Sequence, residues 1–271
     1  MRIGFLILMF VVGAVMGSFA ACQAWRLRYK EQGRKSPGKY SVCLKCGHRL
    51  RWYENIPVVS WLLLGGKCAK CGRKIGTMEI WAEVLMGLAF AGVAWSVGFD
   101  SEISFGSGAT LEGANWLKLV VMLLLVVILG FLAIYDGMWG ELPTWGLIVA
   151  LVLAVGVWII GLGGEMPTMA EVNNLLGAVG ILGGVYLVLY LASWGKWVGN
   201  GDWLLGGVLA IALGEAWLAL ITLFVANFLG CIVSWPKVKG KKQKKVYFGP
   251  FLVIAFVIAV VFVEIWKGLI V

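Results

Sequence analysis

The chain has 271 residues, 61% of them hydrophobic and only 14% charged, with a mean hydropathy of +0.91. A soluble domain carries roughly 25% charged residues, so a single aqueous globular core is excluded and the bilayer is the natural solvent. The net charge of +9 is gathered into a few loops, which argues against a nucleic-acid partner and for a topology signal.

Apolar runs at 4–22, 80–98, 116–135, 143–162, 174–194, 203–213, 215–235 and 249–266 predict an all-α polytopic bundle of about eight transmembrane helices. The chain divides at 1–22, 23–79 and 80–271, the middle segment being polar and basic. Ile3–Ala21 also resembles a secretory h-region, and Ala20-Ala21-Cys22 a lipoprotein cleavage site. One Arg precedes that run, whereas Arg26, Arg28 and Lys30 follow it. Such a flank keeps the downstream loop in the cytoplasm and favours a retained span.

The 33 residues 203–235 contain no Lys or Arg and are interrupted at Gly214-Glu215. One straight helix of that length would overrun a hydrocarbon core of about 30 Å, so two helices are expected, the first short and inside the bundle. Eight spans put 23–79, 136–142, 195–202 and 236–248 on one side, with 20 of the 23 basic residues. The positive-inside rule makes that side cytoplasmic.

The 23–79 loop holds Cys43-Leu-Lys-Cys46 and Cys68-Ala-Lys-Cys71, each pair followed by Gly (Gly47, Gly72). Two CxxC turns can offer four thiolates as a tetrahedron, the pattern of a structural zinc site. A reducing cytoplasm disfavours disulfides. The nearby Lys45, Arg49, Lys67, Lys70 and Arg73 favour thiolates. Cys22 and Cys231 are expected as buried thiols. His48 is expected to be a solvated neighbour, because four thiols already fill the site. The same basic loop also suits anionic lipid headgroups.

Few acidic residues lie in or beside the apolar runs: Glu83, Asp136, Glu141, Asp202, Glu215 and Glu264. An ionisable group there is a functional candidate by default. Asp136 is expected to end the third span and Asp202, in Gly199-Asn200-Gly201-Asp202, to open the sixth. Two intervening spans put both on one membrane face. Paired carboxylates can share a proton, one activating water while the other polarises a carbonyl. Gly199 and Gly201 leave room for an extended substrate. Asp202 could also be a helix cap, whereas a carboxylate at the end of a helix, as at Asp136, opposes the dipole. Metal binding by the aspartates would have only Glu141 as a nearby third carboxylate. The single histidine sits in the cysteine loop, which argues against Ser-His-Asp and cysteine-protease chemistry.

These pieces occur together with Gly17-Ser18-Phe19, Arg26-Leu27, Asn55-Ile56-Pro57, Ser60, Ile75, Glu83, Gly87, Leu142-Pro143, Leu204-Leu205 and Phe248-Gly249-Pro250-Phe251. In that order the whole chain resembles the bacterial prepilin peptidases, or type IV leader peptidases, which are GxGD membrane aspartyl proteases. The resemblance implies a multi-pass inner-membrane enzyme that cuts the basic leader of prepilin or pseudopilin precursors after a glycine. Its active site would face the cytoplasm and serve a pilus, a secretion system or DNA uptake. It implies Asp136 and Asp202 as catalytic residues and Cys43, Cys46, Cys68 and Cys71 as zinc ligands. It further implies methylation of the new amino terminus with S-adenosylmethionine, the 23–79 loop being methyltransferase-associated and 80–271 the protease bundle. Glu83 is a candidate for contact with the methyl donor, or else a buried structural acceptor. The sequence departs from the family at Ala21, at Met78-Glu79-Ile80, at Thr144 and at Trp203. Another GxGD protease would share the dyad but lack the knuckles. A nonenzymatic zinc-binding scaffold or transporter would give no reason for two carboxylates on one face.

Overall fold

The computed structural model describes residues 2–33, 40–43, 45–100, 113–195, 198–238, 247–263 and 265–266. Of the charges weighed above, Arg34, Lys35, Lys39, Lys196, Lys239, Lys241, Lys242, Lys244 and Lys245 lie outside the described residues. So does Glu264. The described chain is helical and has no strand; isolated bridges pair Val42 with Arg49 and Lys67 with Lys74. It forms two compact units, Met1–Ala91 and Gly92–Val271.

In the first unit, α1 (Arg2–Glu31) leads to a 3-10 turn (Trp52–Asn55), a short α2 (Val59–Leu63) and the start of α3 (Met78–Asp100). The faces of α1 are those of a helix in lipid. Ile3, Ile7, Val11, Val15 and Phe19, spaced by four, point outward, while Ala14, Ala20, Ala21 and Ala24 are buried. Small residues let membrane helices approach closely. A Cβ on Gly13 would lie 2.6 Å from the Met86 carbonyl oxygen, one on Gly87 2.8 Å from the Phe10 ring, and one on Gly17 would run into the Ala82 carbonyl. Ala21 belongs to this inward face, so the departure from the family there keeps the side chain small.

The second unit contains α4 (Gly113–Trp139), α5 (Thr144–Gly161), α6 (Met169–Val179), α7 (Val185–Ser193), α8 (Asn200–Leu213), α9 (Ala216–Val238) and α10 (Gly249–Val261). A π-turn at Gly180–Gly184 joins α6 and α7 into one interrupted helix, Met169–Ser193. That helix starts earlier than its apolar run, because Thr168 and Glu171 form a capping box, with Glu171 Oε2 accepting from Thr168 N–H at 2.7 Å.

Among the described residues six helices are long and apolar enough to cross a membrane, and α8 and α10 are shorter apolar helices. The chain is a multi-pass membrane protein. Within the expected run 249–266, α10 ends at Val261, where Phe262 takes φ −103° and ψ 21°, and helical backbone returns beyond it, with Trp266 N–H bonding the Phe262 carbonyl at 2.9 Å. The expected break in 203–235 is present. Gly214, at φ +69°, ends α8, and α9 begins two residues later.

The 14 residues of α8 cover about 21 Å, too little to cross a core of about 30 Å. Protein surrounds it instead: Leu205, Gly206, Val208, Leu209, Ala210 and Ala212 are all buried. The π-turn comes down onto it backbone to backbone. A Cβ on Gly206 would lie 2.6 Å from the Leu182 carbonyl, and one on Gly183 3.2 Å from Gly207 Cα.

Replacing Gly17 by Leu should lower the thermal midpoint in detergent by the equivalent of about 1–3 kcal/mol. Gly4→Leu, at a position with nothing within 4 Å, should stay within about 0.5 kcal/mol of the parent protein.

Candidate active site and metal centre

Asp136 does not end its helix, as α4 continues to Trp139 and Gly140 N–H bonds the Asp136 carbonyl at 2.7 Å. The carboxylate therefore sits in the last turn, the wrong end of a dipole for a negative charge. It is buried, at 5% exposure, and its Oδ2 accepts from Gly249 N–H at 2.9 Å. Gly249 is the first residue of α10, so a second helix supplies the positive end that α4 lacks. A Cβ on Gly249 would lie 2.7 Å from Asp136 Oδ2; only glycine allows this approach.

Asp202 occupies the first turn of α8, also buried, with Oδ2 accepting from Gly199 N–H at 2.9 Å. Asp202 is therefore not itself the cap, as the plainer alternative expected: Gly199 caps α8, and Asp202 reaches back from the third helical position to the cap's N–H. Gly201 is needed for a packing reason: a Cβ there would lie 2.6 Å from Leu142, in the segment that follows Asp136. The two carboxylates lie within electrostatic reach of each other. Trp203 donates through Nε1 to Asn200 Oδ1 at 3.1 Å.

Two polar residues beside this site escaped the sequence reading. Tyr186 is 2% exposed, within electrostatic reach of Asp202, and its hydroxyl accepts from Asn227 Nδ2 at 3.1 Å. Its ring lies 5.3 Å from that of Phe248, the neighbour of Gly249. An asparagine inside the apolar run 215–235 was the available signal, since polar side chains in membrane helices bond across helices.

In the first unit the two cysteine turns repeat one design. Cys43 N–H donates to the His48 carbonyl and Gly47 N–H to the Cys43 carbonyl; Cys68 with Arg73, and Gly72 with Cys68, match them at 2.8–2.9 Å. Gly47 and Gly72 both take positive φ, at +71° and +66°, a conformation open to glycine. The four Sγ atoms lie within 4.8 Å of one another, with Cys43–Cys71 and Cys46–Cys68 at 4.0 Å. Disulfides need about 2 Å, whereas a tetrahedral zinc with bonds of about 2.3 Å sets sulfur–sulfur edges near about 3.8 Å. The residues fit a four-coordinate metal. Among the described residues this is the group whose ligand atoms gather for an ion; Glu141 joins no such group with the aspartates.

Burial opposes the Cys43 thiolate, but the N–H groups of Lys45 and Cys46 outweigh it and lower the thiol to about 7. For Cys46 the His48 N–H favours the thiolate, yet burial and the other thiols push it up to about 11. A dication held by the four sulfurs would favour the thiolate form of each. His48 is not simply solvated: its Nε2 lies 3.2 Å from Glu54 Oε2. The Arg51 N–H, and His48 after it, hold Glu54 below the usual carboxylate range.

Glu83 is 8% exposed and its Oε2 accepts from Val58 N–H at 2.7 Å. Val58 takes φ +62°, rare for a β-branched residue, and Val59 N–H closes onto the Pro57 carbonyl at 2.6 Å. The carboxylate clamps a strained three-residue turn. One turn earlier, where the sequence departs from the family, Glu79 has a buried Oε2 without a hydrogen-bond partner among the described residues.

A helical membrane protein with a four-thiol centre and two buried, glycine-anchored carboxylates defines a narrow class. The family model for the bacterial peptidase A24 N-terminal domain matches residues 11–97. The prepilin leader peptidase/N-methyltransferase of Neisseria gonorrhoeae is 32% identical over 79% of this chain and 68% of its own length. That of Dichelobacter nodosus is 30% identical over the same shares. That of Pseudomonas aeruginosa is 28% identical over 93% and 89%. No solved structure matches the chain. The chain belongs to the prepilin leader peptidase/N-methyltransferase family.

Stripping metal with a strong chelator should expose the Lys- and Arg-rich loop to trypsin, with cuts between residues 45 and 74 appearing in mass spectra. Cys43→Ser should show the same cuts without chelator.

Proposed function

We propose that the chain cuts the leader from prepilin or pseudopilin precursors with Asp136 and Asp202 as an aspartate dyad. We further propose that it methylates the new amino terminus with S-adenosylmethionine. The observation that carries the peptidase reading is the burial of two carboxylates in one apolar unit, each tied through Oδ2 to a glycine N–H, with Asp136 in the electrostatic reach of Asp202. Adjacent carboxylates favour holding one proton between them. The ionised member takes a proton from water as its oxygen attacks the scissile carbonyl. The protonated member donates to the carbonyl oxygen. Collapse of the tetrahedral intermediate breaks the C–N bond, and the proton taken from water passes to the leaving amine.

The cytoplasmic placement rests on the basic residues, 20 of 23 falling on the side expected to carry both aspartates. A precursor's apolar helix would then lie along the bundle, with its scissile bond at the water interface of the inner membrane. Zinc held by Cys43, Cys46, Cys68 and Cys71 would act structurally, giving a segment with little core its fold. The methyltransferase reading rests on the paired activities in the relatives' names. Within it Glu83 is given the Val58 clamp as its role, and the donor pocket is left to other residues.

Purified protein incubated with a prepilin and a labelled methyl donor tests both halves. Asp136→Asn and Asp202→Asn should each reduce cleavage by roughly 10^2–10^4-fold while zinc content is kept. On an already cleaved pilin, label transfer should persist in both. Undiminished cleavage by both variants would end the dyad assignment. Gly249→Ala, whose new Cβ meets Asp136, should reduce cleavage by about tenfold or more with KM little changed, as expected for loss of an interaction made in the transition state.

A further inference from the structure

The first unit carries an apolar surface that its metal centre does not explain. Six of the twelve residues from 52 to 63 are large, hydrophobic and exposed: Trp52 and Leu63 at 81%, Leu62 at 62%, with Tyr53, Ile56 and Val59. Scattered exposed apolar residues are ordinary, but a run of them rimmed by charge marks an interaction site.

The rim is strongly of one sign. From residue 41 to 77 there are seven Lys and Arg, all exposed, against one acid, Glu54, already engaged by His48 and the Arg51 N–H. Such a surface repels another basic partner, including a second copy of itself and a basic leader peptide. It complements an anionic one.

The depth of the segment is set by the clamp. Val58 at its centre is bonded to Glu83, five residues inside α3, or about 7–8 Å along the axis. The span of α3 begins at Met78, and beside Glu83 it turns Trp81 and Leu85 outward. The peptide from Trp52 to Leu63 is therefore tied to the second turn of a helix long and apolar enough to cross a membrane. Both ends of the loop are also tethered by spans, Ile3–Glu31 before it and Met78–Val97 after it.

We propose that Trp52–Leu63 is a membrane-interface element that seats its aromatic and aliphatic side chains at the acyl boundary of an anionic leaflet while the surrounding cations meet lipid phosphates. Aromatic residues favour that boundary, and each nearby Lys or Arg strengthens attraction to anionic lipid. This inference stands apart from the peptidase reading and would hold whatever peptide is cut.

The test uses the full-length, zinc-loaded protein in nanodiscs, with an environment-sensitive fluorescent amino acid encoded at Leu63. Discs contain phosphatidylcholine alone or with phosphatidylglycerol, each with a lipid bearing a shallow nitroxide. The nitroxide should quench the probe by about twofold or more, and more strongly in the anionic discs. A Lys67→Gln/Lys70→Gln/Lys74→Gln variant that retains its zinc should lose the anionic increment. A probe quenched by iodide in the aqueous phase and untouched by lipid nitroxide would overturn the proposal. Quenching indifferent to lipid charge, or a change that appears only on adding a precursor, would overturn it too. The parent protein's probe alone decides between these outcomes, so a misfolded variant does not leave the question open.

Discussion

A carboxylate surrounded by apolar side chains has to find its hydrogen-bond donors within the chain, because lipid offers none. In this protein both buried aspartates meet that demand in the same way. Each accepts a backbone N–H at the N-terminus of a short helix, Asp202 at α8 and Asp136 at α10. Among the described residues these are the two apolar helices of less than spanning length. A helix that stops short of crossing brings its free N–H groups and positive dipole end to where a membrane protein otherwise has no cation to offer.

Much of the second unit follows from that arrangement. Gly249 is required by the approach of the Asp136 carboxylate, and Gly201 by Leu142 in the segment after Asp136. Because α8 cannot reach both surfaces, it must be enclosed, and glycines on it and on the π-turn permit backbone contact. The pair Tyr186–Asn227 adds a polar bridge beside Asp202. Among the described residues the hydrogen-bond donors to the two carboxylates are backbone N–H groups, with no lysine or arginine among them.

The first unit solves a different problem. A loop of about forty-five residues has too little apolar interior to fold on burial alone, and its thiols sit where one metal ion would organise them. Glu83 then fixes the loop to α3 through the Val58 N–H, at the cost of a positive φ on Val58. The strain is local, and the depth it sets for the neighbouring apolar residues is its structural consequence.

Composition alone determined the solvent, since 61% hydrophobic residues leave no aqueous fold available. Spacing alone determined the cysteine turns, because CxxC followed by glycine is a local geometry closed within a few residues. The break at Gly214 and the enclosure of α8 were legible for the same reason: length against bilayer thickness is arithmetic on the sequence. Asp136 and Asp202 could be singled out by their cost in an apolar run, but not their donors. Gly249 is 113 residues from Asp136, and nothing local couples them. The engagement of Glu83 with Val58, of His48 with Glu54, and of Tyr186 with Asn227 likewise came only with tertiary structure. A side chain's need for a partner is written in its chemistry, whereas the partner's identity depends on which helices pack together.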